Sequence, residues 1–226
     1  MPHYLMRHLF WKMKKYTDIL WDFNGTLLDD VRIGIDSVNV LLAERGLKTI
    51  SGKDEYRRVF GFPIKEYYKR IGFDFDKESY EDTVAPLWVA EYQKRSSKAP
   101  LCEGALEALE LFCKLGIKQT VISMSEVKML SAQIESLGIK GYFHDIYGLD
   151  NIHAHSKLEL AKMWRTRNPD AKALVIGDTE HDFSAAQAID ADCILVAAGH
   201  EDKDRLLKYG VPVLSDLTEI RKYQKN

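Results

Sequence analysis

Apolar positions along the chain alternate between short unbroken runs and stretches of helical spacing. Residues 18–23 (DILWDF) form one such run and end at Asn24-Gly25, a turn signal, so they read as a buried strand entering a loop. Val31, Ile35, Val38 and Leu42 then recur at helical spacing, and Gly46 supplies the stop. Residues 51–99 are richer in Tyr, Lys, Glu and Arg and show no buried strand; they read as amphipathic helices joined by loops. From Cys102 onward the pattern is regular. Leu106, Leu109 and Phe112 predict a helix ending at Gly116, and residues 120–124 (TVISM) a strand. Ser125 is placed to cap a helix carrying Val127, Leu130, Ile134 and Leu137 on one face, with Gly138 closing it. A short strand is expected at 145–149, a helix from Ser156 toward Trp164, and an apolar strand at 173–176 running into Gly177-Asp178. A helix at 183–189 and strands at 193–197 and 211–214 complete the series.

Strands alternating with helices imply an α/β fold, a Rossmann-like parallel sheet with helices on both faces. The helical block after the first strand then reads as an inserted cap. The expected division is an N-terminal extension at 1–16, a core of 17–29 and 101–226, and a helical cap at 30–100. Met13 opens MKKYTDILWDF just before the first strand, and the residues ahead of it read as a loosely attached arm or a misassigned start.

Composition narrows the function classes. Hydrophobic residues make up 46% and charged residues 29% of the 226 residues, ordinary for a globular chain. A formal net charge of -2 gives no basis for a nucleic-acid or membrane surface. Three widely spaced cysteines, Cys102, Cys113 and Cys193, argue against a disulfide framework or a zinc site and for a reducing, cytoplasmic setting. No apolar stretch is long enough to span a bilayer. A monomer or weak dimer is expected.

In an open parallel sheet, ligands bind beyond the carboxyl ends of the strands. Asp22, Ser123 and Asp178 fall at such ends, Asp182 follows one turn after Asp178, and Lys157 begins a helix. Together they offer three carboxylates, a hydroxyl and an ammonium. Carboxylates hold a hard cation such as Mg²⁺, and one can attack phosphorus directly. A hydroxyl and an ammonium cradle phosphoryl oxygens. Each residue also has a plainer role open to it: Asp22 as a turn initiator, Ser123 as a core hydroxyl, Lys157 as a solvated lysine, Asp182 as a helix cap.

The order of these residues resembles the haloacid dehalogenase superfamily. DFNGT from Asp22 to Thr26, followed by Leu27-Leu28-Asp29, resembles its first motif, D-x-D-G-T-L-x-D. VISMS with Ser123 resembles the second, Lys157 after Ser156 the third, and GDTEHD from Gly177 to Asp182 the fourth, G-D-x-x-x-D. The insertion resembles the cap of the phosphoglycolate phosphatase and beta-phosphoglucomutase branch. This resemblance implies hydrolysis of a small phosphorylated metabolite with Mg²⁺, through an aspartyl-phosphate on Asp22. It implies that Asp22, the Asn24 carbonyl and Asp178 hold the metal, with Asp182 supporting it directly or through water and Lys157. Ser123, Lys157 and backbone amides near Gly25 would bind the phosphoryl group. In the cap, Arg58 and Lys65, beside the Gly61-Phe62-Pro63 loop, are expected to reach the substrate.

One position departs from the pattern. Family phosphatases carry a second aspartate two residues after the nucleophile, where this chain has Asn24. That aspartate protonates the leaving group and then activates water, and an amide exchanges no proton near neutral pH. The substrate then has a good leaving group, or Glu180, His181 or a cap residue supplies the proton, or turnover is weak and the chain binds a phospho-ligand. A hydrolase of C–P or C–halogen bonds is a further reading, although Asp178 and Asp182 suit a metal better than a haloacid.

Overall fold

The computed structural model describes residues 16–149 and 156–221. The expectations for residues 1–15 lie outside the described residues. Strand β1 (Asp18–Trp21) is buried along its whole length. A strand covered on both faces has no use for alternation, which explains its unbroken apolar run. It sits at the middle of a six-stranded sheet of order β3-β2-β1-β4-β5-β6. The other strands are β2 (Lys118–Glu126), β3 (Asp145–Leu149), β4 (Ala173–Gly177), β5 (Asp192–Val196) and β6 (Val213–Leu214), and every pairing is parallel. Strand order reverses between β1 and β4, the place where a doubly wound sheet opens a crevice for ligands.

Three apolar clusters lie among the described residues. One packs Ile19, Trp21, Leu109, Phe112 and Ile134 on one face of the sheet, and a second packs Leu20, Leu160, Trp164 and Ala186 on the other. The Trp21 indole donates to Gln119 at 2.9 Å and meets Phe112 edge-on, so the carboxyl end of β1 is held by polar and apolar contacts together. The third cluster belongs to the helices after β1: α1 (Val31–Glu44), α2 (Lys53–Val59), α3 (Ile64–Arg70) and α4 (Ala85–Ser96), the last preceded by a π-helical turn at Tyr80–Val84. Val31, Ile35, Val38 and Leu42 form the buried stripe of α1, as their spacing predicts.

Local details differ from expectation. In α5 (Ala105–Lys114) the buried stripe is Ala105, Ala108, Leu109, Leu111 and Phe112, while Leu106 is exposed. Ser125 does not cap α6 (Val127–Ser136). The strand continues to Glu126, whose carboxylate accepts from the backbone N–H groups of Lys128 and Met129. Helix α7 (Lys157–Arg167) starts at Ser156, whose hydroxyl accepts from Glu159 N–H, in line with the sequence reading. Helix α8 (Glu180–Ala188) begins three residues earlier than residues 183–189 suggested, because Thr179 and Asp182 close a reciprocal capping box. Short helices α9 (Lys203–Leu206) and α10 (Thr218–Arg221) end the described chain. No helix among the described residues is long and apolar enough to cross a membrane.

Candidate active site

The carboxyl ends of β1 and β4 lie side by side, so the residues that follow them meet. Trp21 pairs with Ile176, and Asp22 N–H donates to the Ile176 carbonyl at 2.8 Å. Asp22, Asp178 and Asp182 bring carboxylate oxygens within 4.8 Å of one another, and all three residues are buried. Lys157 reaches in from the start of α7 and pairs with both Asp22 and Asp182. One lysine faces three buried carboxylates. Burial and the Asp182 charge push the Asp22 carboxyl well up, and the same two causes push Asp178 up to about 7. Burial alone would lower the Lys157 ammonium, but Asp182 and Asp22 outweigh it and raise it.

Asp182 is saturated by donors. One oxygen accepts from Lys157 at 2.7 Å; the other accepts from the N–H groups of Asp178 and Thr179 and from the Thr179 hydroxyl. It therefore orients Lys157 and the turn after β4, leaving Asp22 and Asp178 as the carboxylates with oxygens to offer. Removing it leaves the buried ammonium with Asp22 alone and orphans the turn's N–H groups. Asp182→Ala is expected to cost about 3–5 kcal/mol of stability, measured by denaturant unfolding. A loss below about 1 kcal/mol would show that the carboxylate does not hold Lys157 in place.

Asn24 is tied at both ends of its amide. Its Nδ2 donates to Asp30 Oδ2 at 2.9 Å and to the Tyr92 hydroxyl at 2.8 Å. Its Oδ1 accepts from Ser125 at 2.9 Å and from Ser123 at 3.3 Å. A carboxylate only accepts, so the nitrogen must face Asp30. Both amide protons are thus committed, and none is left for a leaving group. Ser125, expected at a helix cap, instead helps hold this amide.

Asp30, Tyr92 and His200 complete the surroundings and were missed in the sequence. Asp30 accepts from Gly25 N–H at 2.8 Å, the Tyr92 hydroxyl at 2.6 Å and Asn24, with His200 Nε2 at 3.2 Å. Burial opposes its ionisation, but His200, Tyr92 and Asn24 outweigh burial and hold its carboxyl below the usual range. His200 Nδ1 lies 2.8 Å from the Tyr56 hydroxyl, and its backbone N–H donates to Asp178 at 2.6 Å. The Asp29-Asp30 doublet and the polar GHE stretch just past β5 are the signals that mark these residues. Gly25 shows how tight the junction is. Its φ is +74°, and a methyl group there would collide with the Asp178 carboxylate and the His200 ring. Its N–H already donates to Asp30 and to the Leu28 carbonyl.

The cap closes over this cluster and leaves a cavity of about 500 Å³ between them. Asp22, Asn24, Ser123, Lys157 and Asp178 line its floor. Arg58 and Lys65 are not among its lining residues. Arg58 borders a separate hollow with Asp202 and Lys203, and Lys65 pairs with Glu81 at 2.9 Å on the cap surface. The neighbouring Arg57 ties the cap to the core by donating to the Ala198 and Gly199 carbonyls, in the loop that carries His200.

The chain thus combines a doubly wound sheet, a helical insertion after β1 and an acidic cluster beyond β1 and β4. The chain belongs to the haloacid dehalogenase-like hydrolases, which it matches over residues 19–196. It is 22% identical over 191 residues to a phosphoglycolate phosphatase of Pseudomonas syringae pv. syringae, covering 80% of this chain and 70% of that one. It is 26% identical over 192 residues to a phosphoglycolate phosphatase of Mesorhizobium japonicum, covering 82% and 84%. A haloacid dehalogenase-like hydrolase from Streptococcus pneumoniae superposes with a TM-score of 0.77 at 20% identity, covering 93% of this chain and 99% of that one.

Proposed function

We propose that the chain is a Mg²⁺-dependent phosphomonoesterase that works through an aspartyl-phosphate on Asp22. The observation that carries this reading is the buried Asp22 carboxylate held by Lys157 beside Asp178 and Asp182. Three carboxylates against one lysine leave excess negative charge, and their oxygens suit a hard cation. Asp22, Asp178 and the Asn24 carbonyl would hold Mg²⁺, and Asp182 would act through Lys157. Bound there, the ion would supply charge neutralisation for the phosphoryl group. Lys157 and Ser123 face the same cavity and would bind the phosphoryl oxygens. The relatives named phosphoglycolate phosphatase support phosphate-ester hydrolysis as the reaction class.

Asp178→Ala and excess chelator are each expected to lower kcat/KM by about 10³-fold or more, as loss of a charged metal ligand or of the metal itself would. Full activity in chelator would sink the metal assignment, and metal-independent turnover of a haloacid would favour C–halogen chemistry at the same aspartate. The committed Asn24 amide favours a second reading, a phospho-ligand binder with slow turnover. Rapid-quench measurement separates the two: an enzyme forms phosphoenzyme and turns over repeatedly, whereas a binder retains ligand without forming it.

A further inference from the structure

Phosphoglycolate has a two-carbon body that ends in a carboxylate. The cavity above Asp22 is built for something else. Among its described lining residues Lys157 is the one Lys or Arg, and it already pairs with Asp22 and Asp182. A substrate carboxylate would enter this space without a Lys or Arg of its own. Of the two lining histidines, His200 is engaged by Asp30 and Tyr56, and His181 is stacked on Phe62 with burial lowering its pKa. An unpaired buried charge is costly. The walls are aromatic instead. Trp88 and Tyr92 stack along α4 with centroids 5.0 Å apart, and Phe62 stacks on His181 at 3.7 Å across the cap–core boundary. Val89 and Met124, both on the cavity lining, are exposed at 42% and 39%, large apolar groups that a ligand would cover. A volume of about 500 Å³ also exceeds what a two-carbon acid fills. Tyr67, on the same lining, has a buried hydroxyl with no partner among the described residues, and that is a polar point for a substituent on a ring.

The leaving-group chemistry points the same way from a different observation. With both Asn24 amide protons committed to Asp30 and Tyr92, the site lacks a donor at the position where the family keeps its acid. An alkoxide, close in basicity to hydroxide, needs that proton. A phenolate, whose conjugate acid has a pKa of about 10, departs without it.

We propose that the substrate is an aryl phosphate, a phosphomonoester of a phenol whose ring lies between the Trp88–Tyr92 wall and Met124. This rests on the phosphomonoesterase reading above. An Asp22 oxygen attacks phosphorus, the bond from phosphorus to the phenolic oxygen breaks, and the electron pair leaves on that oxygen, which takes a proton from water. Water then attacks phosphorus of the aspartyl-phosphate, releasing inorganic phosphate and restoring Asp22.

The test is steady-state kinetics of the full chain with Mg²⁺ on phenyl phosphate, benzyl phosphate and phosphoglycolate. Phenyl and benzyl phosphates share the ring and differ in leaving group. Both are expected to show KM at least about 10-fold below that of phosphoglycolate, and phenyl phosphate a kcat about 10²-fold above benzyl. Trp88→Ala should raise KM for both ring substrates by about 10-fold. Val89→Arg, at an exposed position that leaves the fold intact, should lower KM for phosphoglycolate and raise it for phenyl phosphate. If phosphoglycolate has the highest kcat/KM, or Val89→Arg moves neither KM, the aryl assignment falls while the phosphomonoesterase reading stands. If none of the three is hydrolysed with Mg²⁺, and no phosphoenzyme forms, both fall.

Discussion

Asp22→Asn is expected to abolish phosphoenzyme formation and to lower turnover by about 10⁴-fold or more, the scale on which removal of a covalent nucleophile acts. The fold should survive. Asp22 follows β1, and its backbone N–H keeps its bond to Ile176 whatever the side chain. Lys157 keeps Asp182, so the buried ammonium is not stranded. The loss should fall on kcat more than on KM, because Lys157, Ser123 and the aromatic walls, which line the cavity, would still bind the proposed ester. Acid-quenched labelling with a phosphoryl donor, read beside circular dichroism, checks both halves. Retention of label in the variant would place the nucleophile elsewhere.

The elements that place the acidic cluster were legible because their signals are local. β1 and β4 are short apolar runs ending in a turn, and their buried backbone fixes where Asp22 and Asp178 emerge. Lys157 follows from its cap residue, since Ser156 sets the first turn of α7 and that turn faces the cluster. What stayed illegible depends on contacts between segments far apart in the chain. Tyr92 reaches Asp30 from 62 residues away and His200 from 170, and helical spacing says nothing of which tyrosine meets which carboxylate. Lys65 shows the same limit from the other side. It lies on α3, whose buried face is Tyr67 and Tyr68, and its ammonium settles on Glu81 and over the Phe75 and Tyr80 rings. Motif order singled out Asp22 but not the cap residues that surround it.

The pair formed by Asn24 and Asp30 is where a substitution is expected to raise the rate rather than lower it. An amide stands where the family keeps an acid, and a carboxylate stands 2.9 Å from its nitrogen. Asn24→Asp alone would set a half-buried carboxylate against the buried Asp30, where like charges repel and the donors at Asp30 are already shared. Its benefit should therefore be small, and its cost in stability measurable. Exchanging the two side chains, Asn24→Asp with Asp30→Asn, keeps one carboxylate and one amide. The amide nitrogen introduced at position 30 can donate to the carboxylate introduced at position 24, and the amide carbonyl can still accept from Gly25 N–H. Ser123 and Ser125 would go on donating to position 24. The exchange thus moves the acid from position 30 to position 24 without adding charge. Hydrolysis of alkyl phosphates should rise by up to about 10²–10⁴-fold, and aryl phosphates, whose leaving group needs less help, should gain much less in the first step. Rapid-quench kinetics on a leaving-group series, comparing the parent, the single change and the exchange, separates the burst from the steady rate. Equal alkyl-phosphate rates in all three proteins would mean that protonation of the leaving group does not pass through position 24.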